Sequence, residues 1–539
     1  MPFQIAVLAI ALVSAAQDQG KVPLYEGLGD HHHEISTRVP LAQKYFDQGL
    51  RLTYAFNHPE AIRSFEEAAR LDPGCAICWW GSALARGPNI NAPMDEAAGA
   101  KANQAISRAL ALIDGANEKE RAYIRALAQR YAATASAQSP TRDSAYAGAM
   151  ADLAARYPGD DDAVVLWADA VMNLSPWDYW LTDDQPRPDM AIAIRWLETV
   201  LARNADHAGA CHLFIHSVEE TQPRRAVPCA ERLATLMPGA GHIAHMPGHI
   251  YIRVGRYADA IDRNIHATHA DDAILKDIAP DGIYRVGYVP HNHHFMWFAA
   301  TMAGRSELAL TAARKTAGIA TPELAGVPSV QHFLITPLLA DVRFERWDAI
   351  LAAAAPAQGS YPEGMYRYAR ALALAATGRY AEAKREHELL RQVLKDPSLA
   401  TAVVGFNTAG SVLAIADAVV EGEIAARERR WDAAIRALTR AAQLEDAQTY
   451  GEPPDWHLPT RHTLGSVLIA AGRPVEAERA FREDLDRFPE NGWALLGLAR
   501  SLEAQGRVEE AADARGRFER AFQDAGIARK LLNYGGEPR

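Results

Sequence analysis

The sequence predicts an all-α protein, a solenoid in which helix pairs stack one on the next. Three observations lead there. The segment G-R-x-x-x-A recurs five times, from Gly255 to Ala260, Gly304 to Ala309, Gly378 to Ala383, Gly472 to Ala477 and Gly506 to Ala511. Each copy follows an apolar helical stretch and opens another; a glycine ending one helix with an alanine soon after lets two antiparallel helices turn and pack closely. Two looser copies, Arg346-Trp347-Asp348-Ala349 and Arg430-Trp431-Asp432-Ala433, occupy the same slot. Finally, the composition is alanine-rich, 49% hydrophobic and 8% aromatic, that of a folded chain, and 539 residues suffice for several ordinary cores or one long array.

Taken in order, residues 1–16 (MPFQIAVLAIALVSAA) form an apolar run ending in small residues, with Ser14 and Ala16 at the −3 and −1 positions of a signal-peptide cleavage site. No Lys or Arg precedes Lys21, so the usual basic n-region is missing, and a buried N-terminal helix is the alternative. A signal peptide implies a periplasmic or secreted protein. No later apolar run is long enough to span a bilayer. Residues 17–40 contain Asp30-His31-His32-His33-Glu34, either a flexible metal-scavenging tail or a segment folded back into a groove. Residues 41–206 read as N-terminal repeats with loop insertions, 207–345 as central His-rich repeats and 346–539 as C-terminal repeats. The formal net charge of −11, without a long Lys/Arg run, argues against nucleic acid and anionic membrane as principal partners.

The pattern resembles the tetratricopeptide repeat. That family places a large residue, a leucine, a small residue and an aromatic along helix A, then a glycine turn, an alanine in helix B and a closing proline. The run from His242 to Met246 with Gly248, Tyr251, Gly255, Tyr257, Ala260 and Ala267 fits it. So do Tyr45, Gly49, Ala61, Phe65 and Pro73, and Leu464, Gly465, Leu468, Gly472, Ala477 and Phe481. The resemblance covers most of residues 41–528 with many degenerate repeats. It implies a right-handed α-solenoid whose A helices line a concave groove, and it is nearly silent on function.

Three stretches depart from a plain repeat: residues 86–95 (RGPNINAPMD), residues 174–189 (LSPWDYWLTDDQPRPD) and residues 271–290, ending in Tyr288-Val289-Pro290. Stacking does not require them, and long loops on one face of an array commonly carry binding work. Asn89, Asn91, Trp177, Tyr179 and Trp180 gather there; toward the C-terminus Tyr450 to His457 precede Arg461 and His462. Such residues either wall a small-molecule pocket or plug the ends of the superhelix.

Twelve of the nineteen histidines fall between His207 and His332. With the turn glycine as position 15, His242, His245 and His249 take positions 2, 5 and 9 of helix A, His291 and His294 take 2 and 5 of a later repeat, and His332 takes 2 of the next. Steps of three, four and seven residues share a helical face, and by the family resemblance that face lines the groove. His212 and His216 are one turn apart, followed by Glu219 and Glu220; a strict repeat register places the two histidines one position off the groove, a turn shorter by one residue places them in it.

Imidazole is the commonest metal ligand, and His-x-x-x-His on a helix presents two nitrogens to one ion. The expectation is a divalent transition metal, zinc, copper or iron, held by His212, His216, His242, His245, His249, His291, His294 and His332. Groove-lining contacts for a peptide are the alternative, and a small-molecule substrate or a peptide is the expected occupant. Glu219 and Glu220 are candidate general bases for metal-bound water, and Arg253 a candidate anion binder or carboxylate partner. Whether the chain is an enzyme stays open, as does storage or delivery of the metal. Cys75 and Cys78 lack the βαβ context of a redox motif, leaving a structural disulfide or reduced core thiols; Cys211 and Cys229 are candidates for a clip within one repeat. No G-x-S-x-G, P-loop or dinucleotide fingerprint is present, so triad hydrolysis, nucleotide hydrolysis and dinucleotide redox chemistry lack support.

Overall fold

The structure is a computed structural model and describes residues 22–131, 138–182, 184–276, 284–318, 324, 326–356, 359–523 and 525. The signal-peptide expectation at residues 1–16 lies outside the described residues.

Helix follows helix along the described chain, from Pro40–Tyr54 to Val508–Ala521; the strands Trp180–Thr182 and Gln185–Pro186 pair as a short antiparallel hairpin. The five motif glycines explain the repeated turns. Gly255, Gly304, Gly378, Gly472 and Gly506 all have positive φ, 69° to 82°, a conformation glycine adopts without a Cβ penalty. After each, the arginine N–H reaches back to the preceding helix: Arg256 to the Tyr251 carbonyl (2.8 Å), Arg379 to Leu374 (2.8 Å), Arg473 to Leu468 (2.9 Å). This closure satisfies a carbonyl at the helix end and fixes the reversal. The looser copies make the same turn without glycine. Glu345 and Arg429 have φ of 54° and 59°, and the following Arg346 and Arg430 N–H groups bond Asp341 and Ala425 at 2.9 and 2.8 Å. Phe56 (φ 53°) does so after the first helix.

Side-chain packing repeats as well. Phe65 of helix His58–Leu71 lies against Gly49 on one side and Gly81 on the other, where a Cβ would meet its ring at 2.8 and 2.3 Å. Phe481 sits the same way between Gly465 and Gly497, at 2.4 and 2.2 Å. Both phenylalanines are fully buried. The small residue on each A helix is thus the hole into which the B-helix ring inserts, so the helices approach closely along the stack.

The chain divides into two compact units, described separately: the described residues up to Ile250 with Arg263–Val289 (the N-terminal unit), and Tyr251–Asp262 with the described residues from Pro290 onward (the C-terminal unit). In each, a helix packs on its successor and A helices pack on A helices, as Ala76–Ala85 on Glu118–Ala128 and Pro328–Arg343 on Ser360–Ala376. Each unit is an all-α solenoid. No described helix is long and apolar enough to cross a membrane. Cys75 and Cys78 are joined as a disulfide; Cys211 and Cys229 are thiols with sulfurs 2.6 Å apart.

Candidate metal centre

Five of the predicted histidines meet in the N-terminal unit. His212 and His216 lie one turn apart on helix Ala208–Val218, His242 and His245 on Gly241–His245, and His249 on the helix that starts at Pro247. All five are buried, with no ring more than 3% exposed. Two glycines let these helices approach: a Cβ at Gly209 would meet the Tyr54 ring at 2.7 Å, and one at Gly241 would sit 1.9 Å from Asp271 Oδ1.

Hydrogen bonding fixes the tautomers. His212 Nδ1 donates to the Tyr54 carbonyl (2.7 Å), His216 Nδ1 to Glu219 Oε1 (3.0 Å), His245 Nδ1 to Asn264 Oδ1 (2.8 Å) and His249 Nδ1 to Glu219 Oε2 (2.7 Å). These oxygens only accept, so four rings carry their proton on Nδ1 and keep the lone pair on Nε2. The Nε2 atoms then face each other: His245 and His249 at 2.8 Å, His212 and His242 at 3.1 Å. His216 Nε2 is buried with no hydrogen-bond partner among the described residues. The ligand atoms of His212, His216 and His242 lie within 4.8 Å of one another.

Burial dominates the electrostatics. It pushes His212, His242 and His245 well below the usual imidazole range, reinforced by neighbouring imidazoles, and it lowers His216 against the pull of Glu219. Burial alone would raise Glu219, but His249 and His216 outweigh it and hold the carboxylate at about 2. At neutral pH His212, His216, His242 and His245 are neutral nitrogen donors, and Glu219 is a carboxylate beside them. Donation from Nδ1 to a carboxylate or carbonyl is the outer-shell arrangement that orients metal-ligating histidines.

The three irregular stretches converge on this centre. Trp177, from 174–189, lies with its ring 5.1 Å from His216 and donates from Nε1 to Asn91 Oδ1 at 3.1 Å. Asn91, from 86–95, donates from Nδ2 to Tyr288 OH at 3.1 Å. Tyr288, from the turn Tyr284–Tyr288, has its ring 4.7 Å from His242, and Phe56 closes the remaining side, 4.5 Å from His212. The loops that stacking does not need supply a hydrogen-bonded aromatic wall over the imidazoles.

The other predicted residues stand as follows. Glu219 is saturated by two imidazoles, and Glu220 is half-buried in the turn beyond it. Arg253 belongs to the C-terminal unit, where its Nε lies 3.7 Å from Glu452 Oε1 and its guanidinium over the Tyr450 ring. His291, His294 and His332 are in that unit too; the His294 and His332 rings are 5.4 Å apart, and His332 Nδ1 is 2.9 Å from Tyr361 OH. Spacing on the sequence gave no sign of Tyr54, Phe56 or Asn264 as parts of the centre, since each comes from a distant element. The N-terminal tract folds onto the N-terminal unit: Asp162 Oδ1 meets His31 Nε2 (2.9 Å) and Oδ2 meets His33 Nδ1 (2.7 Å). His207 also approaches Asp162, but its Nδ1 accepts from the Ala210 N–H, so Nε2 carries the proton and the ring serves as a helix cap.

Two family models described as tetratricopeptide repeat match the chain, over residues 468–524 and 364–386. No curated protein matches it. Similar solved structures include the yeast Tom70 crystal structure (12% identity, 89% of this chain and 97% of that chain, TM-score 0.36). Others are the human IFIT1 dimer with m7Gppp-AAAA (12%, 91% and 91%, 0.30) and Naa15/Naa10 bound to HypK-THB (13%, 91% and 72%, 0.24). The matched segments, 364–386 and 468–524, are tetratricopeptide repeats set in an all-α solenoid. Such a scaffold presents stacked helix faces of the kind used in protein interaction.

Proposed function

We propose that the N-terminal unit binds a divalent transition metal through His212, His216, His242, His245 and His249, with Glu219 orienting His216 and His249. The observation that carries this reading is the His245–His249 pair. Both Nδ1 protons are committed to oxygen acceptors, so the two Nε2 atoms, 2.8 Å apart, bring lone pair against lone pair. A proton or a metal ion between the two nitrogens relieves the repulsion, and burial opposes a proton on His245. A metal ion offsets its own desolvation through bonds to both lone pairs and through the charge of the nearby Glu219 carboxylate. With metal–nitrogen bonds of about 2.0–2.1 Å, nitrogens at that spacing are neighbouring ligands on one ion. An all-imidazole donor set suits zinc, copper or iron.

The wall of Phe56, Trp177, Tyr288 and Asn91 supports a small substrate or ligand beside the ion. Glu219, held at both oxygens by imidazoles, is suited to positioning ligands rather than to taking a proton from water. A periplasmic or secreted location belongs to the same proposal and rests on residues 1–16 alone. The test is metal content: protein made in low-metal medium and reloaded should retain about one or two ions, and His245→Ala with His249→Ala should abolish retention. Equal uptake by the folded double variant would sink the proposal and favour a groove that contacts peptides through its histidines.

A further inference from the structure

The C-terminal unit buries an arginine whose best binding edge faces no partner. Arg343 ends helix Pro328–Arg343 and is 8% exposed. Its guanidinium covers the Trp493 ring, 3.6 Å from the centroid, and its Nη1 lies 3.3 Å from His462 Nδ1. His462 Nε2 is 2.9 Å from Asp484 Oδ2, so that nitrogen donates and Nδ1 accepts from Arg343. The Asp484 charge is therefore one imidazole removed from the guanidinium. Arg343 Nε and Nη2 are buried without a hydrogen-bond partner among the described residues. These two nitrogens form the side-on edge with which arginine grips a carboxylate. A buried charged donor left unbonded carries a desolvation penalty that a bound anion removes.

The surroundings repeat the theme. Tyr368 lies on helix Ser360–Ala376, which packs on the helix bearing Arg343. Its ring is 5.4 Å from Trp456 and 5.8 Å from His457. Tyr368 OH, Trp456 Nε1 and both nitrogens of His457 are buried without partners among the described residues. Burial, then the charge of Arg343, hold His457 down to about 3, so it is neutral and able to donate one N–H. Burial lowers Arg343 only to about 9, so it is cationic at neutral pH. The cluster thus combines one positive charge with surplus neutral donors and aromatic walls.

We propose that it binds the carboxylate of a small organic monoanion, gripped by Arg343 Nε and Nη2, with Tyr368, Trp456 and His457 as further donors. With the Asp484 charge already one imidazole away, a monoanion adds less negative charge to the interior than a phosphate dianion does. The site is independent of the metal centre. The test uses formate as the smallest carboxylate and inorganic phosphate as its rival, each soaked into crystals of the full chain grown without either. Formate should place its oxygens about 2.7–2.9 Å from Nε and Nη2, and should raise the melting temperature of the wild type more than phosphate does. Arg343→Lys keeps the charge but loses the fork, and should lose the formate effect; Tyr368→Phe, which removes one donor at constant shape, should weaken it. Ordered water alone on the fork at saturating formate, a preference for phosphate, or undiminished formate binding by Arg343→Lys would each overturn the proposal.

Discussion

Replacing Glu219 by glutamine tests the outer shell of the centre while leaving every proposed ligand in place. The carboxylate accepts from His216 Nδ1 at 3.0 Å and from His249 Nδ1 at 2.7 Å. An amide keeps one acceptor and turns the other position into a donor. The imidazole facing that NH₂ must then accept at Nδ1 and carry its proton on Nε2, where it no longer offers a lone pair. Glu219 is fully buried, so water does not repair the mismatch. Losing an orienting partner of this kind costs about 10–100-fold in metal affinity, or about 1.4–2.7 kcal/mol. Competition for zinc against a chromophoric chelator measures it, with circular dichroism confirming the fold. Wild-type affinity in the folded variant would refute the tautomer argument; affinity as low as that of His245→Ala/His249→Ala would make Glu219 a ligand.

Other outcomes follow from the same geometry. Gly241→Ala would place a Cβ 1.9 Å from Asp271 Oδ1, which also accepts from Tyr284 OH at 2.7 Å, so urea denaturation should show a loss of about 1–3 kcal/mol. Phe481→Ala empties the space between Gly465 and Gly497 and should cost about 3–5 kcal/mol by the same assay. Metal-free protein should lose stability as pH falls below about 6.5. There the unfolded chain binds protons that His212, His242, His245 and His457 refuse in the fold, at about 1.4 kcal/mol per pH unit for each group not yet protonated in the native state. Midpoints independent of pH between about 6.5 and 5 would contradict the buried neutral imidazoles.

Much of the fold was legible because a turn glycine is a backbone requirement written as one letter. The five G-R-x-x-x-A glycines are all left-handed, and the glycine-free copies beginning at Arg346 and Arg430 turn on the preceding Glu345 and Arg429. The repeat register also placed His242, His245 and His249 on one face, since helical periodicity converts spacing into direction. His212 and His216 stood one position off in a strict register; in the structure their rings join the same centre. What spacing could not carry was partnership across distant elements. Tyr54 and Asn264 fix tautomers through a main-chain carbonyl and a side-chain amide on other helices. Asn91, Trp177 and Tyr288 stood out as residues of surplus loops, but their mutual hydrogen bonds needed the fold. Arg343 gave no signal, because an arginine at a helix end is ordinary until its surroundings are known to be dry.

The most direct measurement of the metal proposal is X-ray absorption at the metal edge of reloaded protein. The facing Nε2 atoms call for a first shell of at least three nitrogens at about 2.0–2.1 Å, with the outer-shell scattering of imidazole rings. That pattern should vanish in His245→Ala/His249→Ala. A shell of oxygen alone, or an unchanged spectrum in the double variant, would place the metal elsewhere and remove the centre from the account.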